Sequence, residues 1–222
     1  MVAIAEEHPS VTFVSAYRLE ERDVKHDGLY PYSQNVLSGR EVMRQALLGR
    51  AWVTGSATSL LLRSDLVRTP GDFYDSSVWH SDTDAAYRVM MNGDVGFVHQ
   101  VLTFTRVHPG ALTSSFSRRV NSYLSHEGRM LVRYGSKILT PREYRVKMRK
   151  WLARYAWYLA QQRPKLSRRK EADFHEFHRK EIRYMIDEIG QDRETRIVLS
   201  LCARLLLNPP PASGVDAEPL SR

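Results

Sequence analysis

Residues 81–105 read Ser-Asp-Thr-Asp-Ala-Ala-Tyr-Arg-Val-Met-Met-Asn-Gly-Asp-Val-Gly-Phe-Val-His-Gln-Val-Leu-Thr-Phe-Thr. The opening predicts a helix from Asp82 to about Asn92. Ser81 is a residue type that caps helices, and Asp82 and Asp84 fall in the first turn, where the helix dipole favours negative charge. Gly93 suits the helix stop. Val95 to Thr105 is rich in Val, Phe and Thr and reads as a strand. Helix, glycine and strand in that order point to an α/β fold.

Working outward, Val11-Thr12-Phe13-Val14-Ser15-Ala16-Tyr17 follows Pro9 and reads as a buried strand. Glu20 to Asn35, with Asp27-Gly28 and Pro31, reads as a long loop. Ser38 can cap a helix over Gly39–Leu48, with Glu41 at capping-box spacing and Gly49 at its end. Trp52 to Leu62 is a further strand candidate, interrupted by Gly55, and Pro70-Gly71-Asp72 is a turn. After residue 115 the pattern is helical: Pro141 to Gln162, Arg168 to Ile189 and Asp192 to Leu207, with breaks at Pro164 and Gly190. Pro209-Pro210-Pro211 opens a tail of little apolar content, expected to be disordered. The predicted organisation is an α/β portion at 1–115, a helical extension at 116–207 and a tail at 208–222.

Composition narrows the classes of function. The 222 residues are 42% hydrophobic and 26% charged, enough for a packed core and too apolar for a disordered chain. One cysteine, Cys202, excludes a disulfide scaffold or a thiolate-rich zinc site and suits a reducing compartment. Met1–His8 lacks the pattern of a secretory leader, and the apolar run Ile197–Leu207 is short and broken by Arg204. A cytoplasmic location is therefore expected. The net charge of +8 is unevenly placed: residues 1–117 carry 10 Lys and Arg against 13 Asp and Glu, while 118–207 carry 22 against 10. Such a basic half faces phosphates, anionic lipid or nucleic acid, or it is a well-solvated helical surface.

Five segments recur in an order that has chemical meaning. They are Gly55-Ser56-Ala57-Thr58-Ser59-Leu60-Leu61-Leu62-Arg63, Phe73-Tyr74-Asp75, Ser81-Asp82-Thr83-Asp84, Gly93-Asp94-Val95-Gly96-Phe97-Val98, and Leu102-Thr103-Phe104-Thr105-Arg106-Val107-His108. Together this set resembles the acceptor-binding half of family-2 glycosyltransferases of the GT-A fold, over roughly residues 2–115. The resemblance implies a partial, Rossmann-like GT-A sheet followed by an α-helical C-terminal extension. It also implies inverting transfer of a sugar from a nucleotide-diphosphate donor to a hydroxyl acceptor, carbohydrate or lipid-linked, in polysaccharide or glycoconjugate biosynthesis.

On the same resemblance Asp82 matches the aspartate of the family's Glu-Asp motif, with Ser81 in place of the glutamate, and Asp82 is implied to be the general base. An alcohol attacks well only if its proton is drawn off, which is work for a carboxylate. Asp84, Gly55 and Thr58 are implied to lie against the acceptor. Arg106 and His108 match an Arg-x-His closing loop beside the leaving diphosphate, with His108 a candidate ligand of a divalent metal, Mg or Mn.

Plainer readings stand beside these. Asp82 and Asp84 can simply favour a helix start, Arg106 and His108 can be polar loop residues, and Gly55 can mark a bulge. No Asp-x-Asp precedes residue 80. The family's metal-gripping, nucleotide-binding half is thus expected to be absent, the metal to be held mainly by that half, and this portion to be inactive alone. An open sheet edge would then favour self-association or a covering partner.

Other candidates are weaker. His175-Glu176-Phe177-His178 has its histidines three apart, unlike a zinc-protease helix, and reads as helix-face histidines. Tyr144–Gln162 interleaves Trp151, Tyr155, Trp157 and Tyr158 with Arg145, Lys147, Arg149, Lys150 and Arg154, which fits either a packed helix or one lying on an anionic membrane at the inner surface of the cell. No nucleic-acid-binding module is recognisable. The alternative to an enzyme segment is a non-catalytic module that binds a partner or an anionic surface through its basic helices.

Overall fold

The computed structural model describes residues 1–25, 31–50, 57–69, 71–106, 108, 110, 116–162, 168–189 and 192–207. In chain order the elements begin with α1 (Val2–Glu7), β1 (Val11–Glu20), β2 (Asp23–Lys25), β3 (Val36–Leu37) and α2 (Gly39–Leu47). A 3₁₀ turn at Ala57–Ser59 precedes β4 (Leu61–Leu62), α3 (Ser64–Val67), α4 (Ser81–Met90), β5 (Asp94–Thr105), α5 (Arg118–Val120) and α6 (Ser122–Met130). A π-helical turn at Leu131–Gly135 leads into α7 (Ser136–Ile138), α8 (Pro141–Gln162), α9 (Arg168–Glu188) and α10 (Arg193–Leu207). The chain divides into two compact units, Met1–Arg149 and Lys150–Arg222.

The first unit is α/β with a mixed sheet. β1 and β5 run parallel, from Val11 opposite Asp94 to Glu20 opposite Thr105. β4 and β2 pair antiparallel with the other edge of β1, and β3 pairs antiparallel with β5 at Val95 and Gly96. Val11 to Tyr17 is buried without alternation, as expected of a strand covered on both faces. A parallel pair needs a long crossover, and here α2 packs on β5, α4 on β1, and the two helices on each other. Phe13, Phe97, Met43 and Met90 fill the core. Beyond Val98 no strand pairs with the outer edge of β5 among the described residues, and Val101, Leu102 and Phe104 are exposed there.

Two glycines let backbone meet backbone. A Cβ on Gly39 would lie 2.0 Å from the Gly93 carbonyl oxygen and 2.5 Å from that of Met90. One on Gly93 would lie 2.4 Å from the Ser10 carbonyl oxygen. The same turn is tied to the entrance of β1 by Asp94 N–H to the Ser10 carbonyl, 2.8 Å, and Ser10 Oγ to Asp94 Oδ2, 2.7 Å. α4 ends earlier than expected, at Met90 with Met91 as its C-cap, and Gly93 serves close approach in the turn that follows.

Several local expectations are corrected. The cap of α4 is His80, and Ser81 is the first helical residue. Ser38 precedes α2 without a side-chain cap bond, and Glu41 accepts from Arg44 Nη1 at 3.3 Å instead of closing a capping box. Of the strand candidate Trp52–Leu62, Ala57–Ser59 is a 3₁₀ turn and only Leu61–Leu62 pairs with β1, residues 51–56 lying outside the described set. The loop Glu20–Asn35 contains β2. The boundary at 115 falls inside the first unit, where Arg40 Nη2 donates to the Lys137 carbonyl at 2.7 Å and Arg44 pairs with Glu143. Thr140 and Glu143 form a true capping box at α8, Thr140 N–H to Glu143 Oε2 at 3.0 Å and Glu143 N–H to Thr140 Oγ1 at 3.3 Å. With Arg44 hydrogen-bonded to it, the Glu143 carboxyl is held down to about 2.

The second unit packs Trp151, Leu152, Tyr155 and Leu159 of α8 with apolar residues of α9 and α10, including Phe174, Met185 and Leu199. The Tyr155 hydroxyl and His178 Nδ1 are hydrogen-bonded at 2.8 Å, which makes His178 a core residue. Burial pushes the Cys202 thiol up to about 11, so it packs as a small apolar side chain. Asp192 caps α10 through the Thr195 N–H, 3.1 Å. The expected tail 208–222 lies outside the described residues. No helix among those residues is long and apolar enough to cross a membrane.

Gly39→Ala is expected to lower the unfolding free energy by about 1–3 kcal/mol, because both nearest atoms are main-chain oxygens. Gly110→Ala, whose Cβ meets nothing closer than 3.5 Å, is expected to stay within about 0.5 kcal/mol. Urea titration of both variants measures the difference.

Candidate functional site

Two helix N-termini meet at one hydrogen bond. His80 caps α4 in the left-handed region, φ 60° and ψ 40°, and Asn121 does the same for α6 at φ 48° and ψ 54°. His80 Nε2 lies 2.9 Å from Ser122 Oγ, the first residue of α6. The imidazole is packed between Tyr123, ring centres 4.4 Å apart, and His126, 5.0 Å. A left-handed non-glycine residue costs about 1–2 kcal/mol, so this turn is held by its surroundings.

The two aspartates of α4 do different things. Asp84 is 3% exposed and accepts from Arg133 Nη1 at 2.8 Å and from the Tyr134 hydroxyl at 3.2 Å. Burial and then the Asp84 charge push the Tyr134 hydroxyl well above its ordinary range. Asp84 therefore anchors α4, and its carboxylate is turned inward. Two residues earlier, about 200° around the helix, Asp82 is half-buried and its Oδ1 accepts the Thr83 N–H at 2.8 Å.

Asp82 looks onto two half-exposed tyrosines. Burial and then the Asp82 charge raise the Tyr74 hydroxyl and also that of Tyr123, which Glu20 raises further and Arg18 lowers. Glu20 and Arg18 end β1 opposite Thr105 and Thr103 of β5. Asp82 thus stands toward the carboxyl ends of the parallel strands, where open α/β sheets take ligands. Tyr74 is placed by Phe73, ring centres 4.9 Å apart, over which Arg88 of α4 lies at 5.6 Å. Asp75 faces away into its own turn, accepting from Ser77 N–H at 2.9 Å and Ser77 Oγ at 2.6 Å, which lowers its carboxyl.

Beneath His80 lies His126, 3% exposed, with neither ring nitrogen hydrogen-bonded. Burial first, then His80 and Arg129, hold it well below the usual histidine range. Burial also lowers His80, with Asp82 opposing. Both imidazoles are neutral near pH 7.

The other sequence-derived candidates are less gathered. Thr58 is exposed in the 3₁₀ turn beside β1, and Gly55 lies outside the described residues. Arg106 and His108 are exposed beyond the end of β5, and no hydrogen bond or ion pair joins either to Asp82. No three His, Cys, Asp or Glu among the described residues, His108 included, converge as a metal site, so the described residues by themselves form no metal cradle. A cavity of about 260 Å³ lined by Val2, Phe13, Leu61 and Leu62 includes none of the residues around Asp82. His80, Tyr123 and His126 went unread in the sequence because their meeting depends on a contact 42 residues apart.

Comparison with protein-family models, with curated proteins and with solved structures gives no match for this chain.

The buried imidazoles set a pH dependence. Unfolded, each titrates near 6.5; folded, each titrates lower, so between those values the unfolded chain binds more protons and stability is lost as pH falls. Unfolding free energy is expected to decline as pH drops from 7.5 to 5, His126 contributing a slope of up to about 1.4 kcal/mol per pH unit. His126→Phe removes that share. Denaturant titrations at several pH values check both, and an unchanged slope in the variant would contradict the assignment.

Proposed function

We propose that the first unit is the acceptor side of an inverting glycosyltransferase of GT-A type, with Asp82 as its general base. The observation that carries this reading is the division of labour in α4: Asp84 is consumed by Arg133 and Tyr134, while Asp82, about 200° around the helix, is half-buried, accepts the Thr83 N–H, and its charge raises the Tyr74 and Tyr123 hydroxyls. The order of sequence segments that resembles family-2 glycosyltransferases adds to it.

In this reading an acceptor hydroxyl seats against Asp82. As its oxygen bonds to the anomeric carbon, its proton passes to the Asp82 carboxylate. The bond from that carbon to the diphosphate oxygen breaks, its electron pair leaves with the nucleoside diphosphate, and the configuration inverts. The bond from His80 to Ser122 holds the two helix starts together. Arg106 and His108 belong to the proposal as contacts to the leaving diphosphate, and Thr58 and Gly55 as neighbours of the acceptor. Asp84 is reassigned within it as the anchor of the helix. A divalent cation, Mg or Mn, would supply charge neutralisation at the diphosphate. The outer edge of β5 beyond Val98, which no strand pairs among the described residues and where Val101, Leu102 and Phe104 are exposed, is the place where a covering strand of the same assembly fits.

The test is release of nucleoside diphosphate from a panel of nucleotide sugars, with Mg or Mn and hydroxyl acceptors, in reactions reconstituted with this chain. Asp82→Asn is expected to lower transfer roughly 10²–10⁴-fold with nucleotide affinity unchanged. Transfer unaffected by Asp82→Asn would remove Asp82 as base. Transfer that does not depend on the added chain would favour a non-catalytic module.

A further inference from the structure

We propose that the outward face of α8 in the C-terminal unit docks the protein on an anionic lipid surface, Lys150 and Arg154 meeting the headgroups and Trp157 seating its indole among them. This inference does not rest on the glycosyltransferase reading.

Four aromatic residues lie between Trp151 and Tyr158, and the structure separates them. Trp151 and Tyr155 are core residues with stacked rings 5.0 Å apart, and Tyr158 is half-buried against Phe174 and His178. Trp157 is 65% exposed. Trp157 takes no part in the buried core among the described residues of this unit, and its indole offers an apolar face and a polar N–H to the surroundings.

Its neighbours on the helix surface are informative. Lys150, Arg154 and Trp157 are spaced four and three apart and share one stripe, with exposed Ala153 and Ala160 beside them. From Arg145 to Gln162 the sequence has five Lys and Arg and no Asp or Glu. The outward side of α9 differs: Arg179, Lys180 and Arg183 are balanced by Glu176, Asp187 and Glu188. The single-sign strip is therefore a property of residues 150–162 of α8, since Glu143 lies in its first turn and Lys147 pairs with Glu127. α10 of the same unit exposes Ile197 and Leu201 between Arg193 and Arg204, but its first turn carries the exposed Glu194.

Charge alone would suit an acidic protein or RNA equally well. The indole and the small residues decide for lipid. A low strip of Lys, Ala, Arg and Trp lies flat against a plane, and an indole is favoured at the headgroup level. Binding of single-stranded RNA would call for successive aromatic platforms, and this strip holds one.

Co-sedimentation of the full chain with phosphatidylcholine vesicles, with and without 30% phosphatidylglycerol, at about 50 and 200 mM salt, tests the proposal. Binding is expected to require phosphatidylglycerol and to weaken with salt. Each cation removed is worth about fivefold in partitioning, so Lys150→Glu with Arg154→Glu is expected to lower it at least about 25-fold. Trp157→Ala is expected to lower it several-fold with the thermal midpoint unchanged, since its side chain leaves the core untouched. Failure to bind phosphatidylglycerol vesicles at the lower salt, or equal binding by wild type and both variants, would overturn the proposal. Tight binding of a poly-uridine oligonucleotide without vesicle binding would do so in favour of nucleic acid.

Discussion

A carboxylate taken out of water must keep its partners, and Asp84 keeps two, Arg133 and Tyr134. Both lie in the π-helical turn that follows α6, so one buried carboxylate joins the crossover helix to the helical segment after β5. The contact also fixes the rotation of α4 about its axis. With Asp84 inward, Ala85, Ala86 and Val89 meet the core, and Asp82 is carried to the other side. Tyr87 packs against Tyr134 at 5.6 Å and closes the same joint from below. Fold and candidate site thus depend on the same interaction.

The site that results is a seam between two helix starts at the carboxyl ends of β1 and β5. Each start is reached through a left-handed residue, and the hydrogen bond from His80 to Ser122 ties them. Left-handed backbone at a histidine is a cost that persists where the surroundings over-determine it. Here the imidazole is enclosed by Tyr123 and His126, and the enclosure keeps it neutral.

What the sequence made legible was local. The buried run Val11–Tyr17, the strand after Gly93 and the three long helices are each set by the residues within them, and each is found where expected within one to three residues. What stayed hidden depends on distant partners. Ser81 looks like a cap until His80 is seen bonded to a residue 42 positions away. Asp82 and Asp84 look equivalent until Arg133, 49 positions away, takes one of them. The composition break near 115 reflects surface charge and not packing, because Arg40 and Arg44 hold the start of the helical region to the first unit. In α8 the aromatic residues are visible in the sequence, but which of them faces water is decided by α9.

The claim on which the rest turns is that Asp84 anchors and Asp82 is left to act. Unfolding free energies of Asp84→Asn and Asp82→Asn at pH 7 test it most directly. The predicted result is a loss on the order of 2–3 kcal/mol for Asp84→Asn, the scale of charged hydrogen bonds to a buried group, and less than about 1 kcal/mol for Asp82→Asn. Equal losses, or a larger loss at Asp82, would make Asp82 a structural residue and contradict the account.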